Sequence, residues 1–279
     1  MTVAQPRPAV RSGRLRGVGE YLWPQEPIPR RTYLGILIAS AGTLVAAWCV
    51  LTYGGLVQPL FLPAPTDIIR SGIQMIGDGS LLDNASASLS VIVTGWALAV
   101  VAGVPVGILM GSFKAVEALV EPVIDFVRYL PVSALIPLLI LYIGIGTSEK
   151  VAVIFIGTFF QLVLLVADVA AHVPHEQIDV SYTLGASRAQ VIRRVLLPAT
   201  LPGVMDTLRI TMGWAWTYLV VAELVSADRG LGYLILNSMR GLFTDRIFVG
   251  LITIGALGLG FDLLFKWLHR RLLPWSPKA

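Results

Sequence analysis

Six apolar runs separated by short polar stretches dominate the pattern along the chain: about 33–54, 89–112, 119–144, 150–171, 204–226 and 247–268. A helix needs about 20 such residues to cross a bilayer, so each run predicts a spanning helix. The third contains Pro122, Pro131 and Pro137. Each proline removes a helical donor, so that helix is expected to kink or break, with its freed backbone facing protein or a water-filled path. Between the first two runs, "LPAPTDIIRSGIQMI" predicts a short helix from Asp67 with Thr66 as its N-cap. "DGSLLDNASAS" reads as a loop leading into the next helix.

The longest polar interruption in the middle of the chain is "DVSYTLGASRAQVIRRVLLPATLPG", residues 179–203. Residues 174–184 predict a helix with proline in its first turn that closes at Gly185. Ser187-Arg188-Ala189-Gln190 then has the form of a capping box, so a second helix is expected from Ser187 to just before Pro198. In it Val191 and Val195 stack one turn apart, while Arg188, Arg193 and Arg194 reach water. Such a hairpin suits docking into another protein's groove. It suits an interfacial segment on lipid headgroups equally well.

Composition agrees with the span pattern. The 279 residues are 56% hydrophobic and 14% charged, too little charge to coat soluble domains. The placement of Lys and Arg says more than the net charge of +4. Fifteen lie on the side holding the N-terminal tail, the 179–203 stretch and the C-terminus, and five on the other. Both termini are therefore expected in the cytoplasm. Residues 1–32 read as a cytoplasmic tail with no cleavable signal peptide, and "EYLWPQEPIPRR" can alternatively lie on the membrane surface. Residues 33–275 form the transmembrane domain and 276–279 a short tail.

Catalytic chemistry has little to stand on. Cys49 is single, and His172, His175 and His269 lack the ligand set of a metal site. No Walker sequence occurs, and no catalytic cluster is apparent. Polar residues inside spans are the remaining candidates, because they are costly there. Arg128, Tyr129, Ser133, Gln161, Trp214, Thr217 and Glu223 are expected along a translocation path. Several have a structural alternative: Arg128 can pair with Asp125 or snorkel, Gln161 can bond another helix, and Trp214 and Thr217 can pack a dimer seam. Glu223 is better suited to a structural hydrogen bond or a gate. Gly103, Gly107 and Gly111 form a small-residue face for helix packing, and Gly250, Gly255, Gly258 and Gly260 are expected to serve the sixth span in the same way.

The 179–203 stretch resembles a signature of ABC importer permeases: Glu-Ala-Ala, three residues, Gly, nine residues, Ile-x-Leu-Pro. Asp179-Val180-Ser181 stands at the first triplet, Gly185 follows after three residues, and Val195-Leu196-Leu197-Pro198 after nine more. The triplet departs from the pattern. "TLGASRAQVIRRVLLPATLPGVMDTLRI", "VVAELVSADRGLGYLI" and "FLPAPTDI" resemble the nitrate/sulfonate/taurine/bicarbonate subgroup. The resemblance implies an all-α polytopic protein of the type I ABC importer kind. It would have six transmembrane helices and a cytoplasmic coupling hairpin, about 174–203, between the fourth and fifth. It implies that Asp179, Ser181, Gly185, Ala186, Ser187, Arg188, Gln190 and Pro198 couple the chain to an ATPase. It also implies a bacterial inner-membrane homodimer with two ATPase subunits, which carry ATP and Mg, and an external binding protein. No nucleic-acid partner is expected. The implied cargo is a small anion, or alternatively a pyrimidine-type precursor; an ATP-independent secondary transporter is the competing class.

Overall fold

The computed structural model describes residues 28–226 and 228–276, which are helical apart from short turns. The chain divides into two compact units after Val57. In the first, α1 (Arg30–Tyr53) is 24 residues long and has no buried side chain. The Thr43 and Thr52 hydroxyls donate to the carbonyls of Ala39 and Trp48 one turn earlier, which satisfies them on an apolar helix. The helix starts slightly before the expected run. Residues 1–27, with the stretch around Tyr21 and Trp23, and residues 277–279 lie outside the described residues.

The second unit contains α2 (Pro65–Gly77), α3 (Ser80–Ser112), α4 (Lys114–Arg128), α5 (Val132–Ile143) and α6 (Thr147–Ala171). It continues with α7 (His175–Thr183), α8 (Arg188–Val191), α9 (Leu197–Ser226), α10 (Leu231–Arg240) and α11 (Thr244–Leu272). A π-turn, Ile192–Leu196, joins α8 to α9.

Several expectations need correction. Thr66 is not the N-cap of α2: Ala64 holds that position without a side-chain bond, and Pro65 takes the first helical position, where a missing N–H costs nothing. The polar stretch before the second span is helix, not loop. The Ser80 N–H donates to Asp78 Oδ1 at 2.9 Å and starts α3 there. The Ser80 hydroxyl and that N–H together hold the Asp78 carboxyl below its usual range. The third run is two helices, α4 and α5, bent by 95° where Tyr129, Leu130 and Pro131 interrupt the ladder. The fracture falls at Pro131, while Pro122 and Pro137 lie inside helices.

Among the described residues four helices, α1, α3, α6 and α11, are long and apolar enough to cross a membrane, and there are five if the bent pair is counted as one span. The remaining predicted span, α9, has 30 residues and Asp206, Arg209 and Glu223 along it. At roughly 45 Å it is long enough to span a bilayer, but its composition does not mark it as one of the apolar helices.

Glycine sets the central contact. A Cβ on Gly95 would stand 2.8 Å from the Ile154 side chain, on Gly103 3.1 Å from Leu162, on Gly107 2.7 Å from Val166 and on Gly111 2.8 Å from Ala170. The partner number rises with the glycine number, so α3 and α6 run parallel at van der Waals distance. In lipid such packing replaces the hydrophobic drive as the force between helices. Two parallel helices require the chain between them to return across the same thickness, which the α4–α5 pair does. By the same logic α9 runs antiparallel to α6, since Gly203 approaches Val169 and Gly157 approaches Tyr218. On the sixth span only Gly250 makes such an approach, 2.8 Å to Ile235, whereas Gly255 and Gly260 face open space. The expected glycine face on that helix is therefore confined to one turn, where α10 crosses it.

Candidate functional site

Two regions gather the predicted residues. The first is the hairpin of α7 and α8. α7 ends in a Schellman motif: the Gly185 N–H donates to Tyr182 O at 2.9 Å and the Ala186 N–H to Ser181 O at 3.0 Å. Gly185 has φ +85°, the left-handed conformation that closure demands. The capping box is formed at both ends, with the Ser187 N–H donating to Gln190 Oε1 at 2.8 Å and the Gln190 N–H to Ser187 Oγ at 3.4 Å. The Ser181 hydroxyl donates to Gln177 O at 2.7 Å, inside α7. Asp179 and Arg188 are exposed.

The second helix of the hairpin does not stop before Pro198. The Leu197 N–H donates to Ile192 O, five residues back, and the wide turn carries the helix through Pro198 into α9. An extra residue in the turn displaces the backbone that a proline ring would otherwise strike. Val191 and Leu196 at the turn are buried. Val180 and Leu184, one turn apart at the hairpin tip, are 56% and 82% exposed.

The second region is a cavity of about 370 Å³ where the α4–α5 break meets α6 and α9. Arg128, Tyr129, Ser133, Gln161 and Thr217 all line it. Arg128 Nε lies 3.1 Å from Asp125 Oδ1, and its Nη2 donates to the Tyr129 hydroxyl at 2.9 Å. Gln161 Nε2 donates to the Tyr218 hydroxyl at 3.2 Å, across the α6–α9 contact. Tyr218 also lines the cavity, and it can lie there only because residue 157 is glycine: a Cβ would stand 2.6 Å from the ring. Tyr218 and Gly157 were not among the predicted path residues. The readable signal was Gly157 one turn before Gln161, a small residue beside a polar one within a span.

The other two predicted path residues lie elsewhere. Trp214 is on the exposed face of α9, outside the cavity. Glu223 is 1% exposed and fully engaged: the Ser88 hydroxyl donates to its Oε1 at 2.6 Å and the Gly232 N–H to its Oε2 at 2.7 Å. The Leu231 N–H donates to Ser88 Oγ at 2.8 Å, and the Gly230 N–H to Asn84 Oδ1 at 2.8 Å. This set ties α3, the end of α9 and the start of α10 together. Two further polar side chains are buried at this end of α6, Glu149 and Lys150. The Ser226 hydroxyl donates to Glu149 Oε2 at 2.7 Å.

Comparison with known proteins places this geometry. Residues 103–274 match the family described as binding-protein-dependent transport system inner membrane component. A probable ABC transporter permease protein of Brucella abortus is 36% identical, over 90% of this chain and 99% of its own length. The taurine transport system permease protein of Escherichia coli is 34% identical, over 89% of this chain and 92% of its own. A putative aliphatic sulfonates transport permease protein of Bacillus subtilis is 31% identical, over 86% and 87%. A solved structure of the methionine ABC transporter MetNI, in inward-facing form, shares the fold. Its TM-score is 0.58 at 21% identity, over 67% of this chain and 94% of the other. The chain belongs to the binding-protein-dependent transport system inner-membrane component family, as an ABC transporter permease of the nitrate/sulfonate/taurine/bicarbonate subgroup.

Proposed function

We propose that this chain is the membrane subunit of an ATP-driven importer for a small solute carrying an oxyanion, of the sulfonate/taurine, nitrate or bicarbonate class. The observation that carries this reading is continuity. The hairpin passes through the π-turn into α9 without a loop, and α9 presents Thr217 and Tyr218 to the cavity. A displacement of the hairpin is thus transmitted to the cavity wall by one continuous helix. The exposed Val180 and Leu184 at the tip, flanked by Asp179 and Arg188, suit a groove on a partner protein. That partner is an ATPase holding ATP and Mg. Two such subunits act on a pair of these chains, and an external binding protein delivers the solute. The Lys and Arg distribution supports the hairpin and both termini on the cytoplasmic side. The relatives named for taurine and aliphatic sulfonates support the cargo class. Arg128 spends two of its five donors on Asp125 and Tyr129, which leaves others for an oxyanion.

The test is uptake in proteoliposomes containing the permease, its ATPase and its binding protein. Gly185→Val, which opposes the left-handed cap, and Arg188→Glu should leave ATP hydrolysis running while uptake of a sulfonate falls. Full uptake by both variants would remove the hairpin from the mechanism, and uptake without ATP would overturn the importer reading.

A further inference from the structure

α9 and α11 meet over a cavity of about 260 Å³ lined by Arg209, Lys266, His269 and Arg270, with Asp206 as its carboxylate. Asp206 and Arg209 lie in the first half of α9, so the cavity is at the end of the unit that carries the hairpin. Arg209 and Lys266 share a second carboxylate, Asp262: Arg209 Nε donates to its Oδ1, and Lys266 Nζ lies 2.8 Å from its Oδ2. Arg270 Nε donates to the Lys266 carbonyl at 3.3 Å, and its guanidinium has no carboxylate partner among the described residues. Three cations thus face two carboxylates, and one positive charge is left over. His269 points the same way. It is 7% exposed, and its buried Nε2 has no hydrogen-bond partner among the described residues. Asp206 stands 3.7 Å from its Nδ1, too far for a hydrogen bond. A buried polar atom without a partner is costly. With the proton on Nε2 the ring can donate to an anion's oxygen.

The surface beside the cavity is apolar. Leu259, Leu263 and Trp267 are exposed and recur every four residues along α11, and Arg270 continues the same face toward the helix end. A soluble anion gains nothing from that stripe, whereas an acyl chain can lie along it. We propose that the cavity holds the phosphate of an anionic phospholipid, with Lys266, His269 and Arg270 around the headgroup and an acyl chain along Leu259, Leu263 and Trp267. The Lys and Arg bias sets this end in the cytoplasmic leaflet, whose surface is negative. The inference rests on the chain spanning a membrane, not on its cargo. Held between α9 and α11, the lipid braces the helix that continues into the hairpin.

The test is native mass spectrometry of the permease–ATPase complex in detergent, titrated with phosphatidylglycerol or phosphatidylcholine. Phosphatidylglycerol should be retained on each permease chain, and phosphatidylcholine, whose phosphate is offset by its own ammonium, roughly fivefold less well. Lys266→Gln and Arg270→Gln, both at exposed positions, should each weaken retention of phosphatidylglycerol by roughly fivefold or more. Arg271→Gln removes the same charge from a residue that does not line the cavity, and should change retention by less than about twofold. Phosphatidylglycerol should also raise the thermal midpoint of the wild type and leave that of Arg270→Gln where it is. Equal retention of the two lipids, or an effect of Arg270→Gln no larger than that of Arg271→Gln, would overturn the site. Displacement of the lipid by soluble glycerol phosphate would assign the cavity to a free anion and overturn the lipid. A chain that holds phosphatidylglycerol through Arg270 but assembles with no ATPase would leave the site standing and sink the importer reading.

Discussion

At the scale of single residues, two buried arrangements have no slack. Gly157 lies under the Tyr218 ring, and even one added carbon would stand 2.6 Å from it. Gly157→Ala must push the ring off α6 and break its bond with Gln161. Overpacking of this kind costs about 1–3 kcal/mol. Thermal unfolding in detergent should show a lower midpoint, and uptake should fall because the displaced ring enters the cavity. Tyr218→Phe, which loses only the hydroxyl, should cost less; a larger loss would mean the Gln161 bond matters more than the packing. Glu223 is the second case. Its two oxygens accept from different donors, so Glu223→Gln presents an amide N–H₂ where one acceptor was needed. One buried donor is left unpaired, at roughly 1–3 kcal/mol. Combining it with Ser88→Ala should cost less than the sum of the two single changes, because both break the same contact, although Ser88→Ala also leaves the Leu231 N–H without its acceptor. Strict additivity of the two changes would argue against the contact between them.

At the scale of elements, the informative feature is the π-turn. Pro198 cannot donate to Arg194 O, and the wide turn before it accommodates that defect. Pro198→Ala restores the N–H and places a better helix former at the site. The turn should tighten to ordinary α-helix, which rotates the hairpin relative to α9. Stability is therefore expected to hold or rise while coupled uptake falls, a split that loss of folding would not produce. Unchanged coupling would show that the hairpin's setting relative to α9 is not what the π-turn provides. The capping box and the glycine closure were legible because they depend on residues three or four apart, within one turn of chain. The passage of α9 through Pro198 was not legible. A proline normally stops a helix, and whether a π-turn absorbs it depends on the burial of residues around it, such as Val191 and Leu196, which local spacing does not give. The 95° fracture after Arg128 was legible as a break at a proline, but three prolines competed and only packing selected Pro131.

At the scale of the second unit, topology fixes relative sides where composition cannot. The glycines on α3 named one face of packing, yet nothing in their spacing named α6 as the partner or parallel as the direction. Likewise α9 reads as the least apolar of the predicted spans, and its antiparallel course beside α6 is legible only in the packing. Parallel α3 and α6 have a further consequence. The loop before α3, at Asp78, and the hairpin after α6, at Ser187, must lie at opposite ends of the unit. If the unit spans the membrane they lie on opposite sides of it, and the Lys and Arg bias assigns the hairpin to the cytoplasm. The prediction can be checked by labelling. In a Cys49→Ser background, which removes the chain's single thiol, Asp78→Cys should react with a membrane-impermeant maleimide on intact cells. Ser187→Cys should react only after the cytoplasmic side is opened. The reverse pattern would invert the orientation and place the hairpin outside, where no ATPase could reach it. Labelling of both positions on one side would contradict the parallel packing of α3 and α6 itself. A protected Ser187→Cys in opened membranes that becomes reactive once the ATPase is stripped away would show the hairpin tip occupied by its partner.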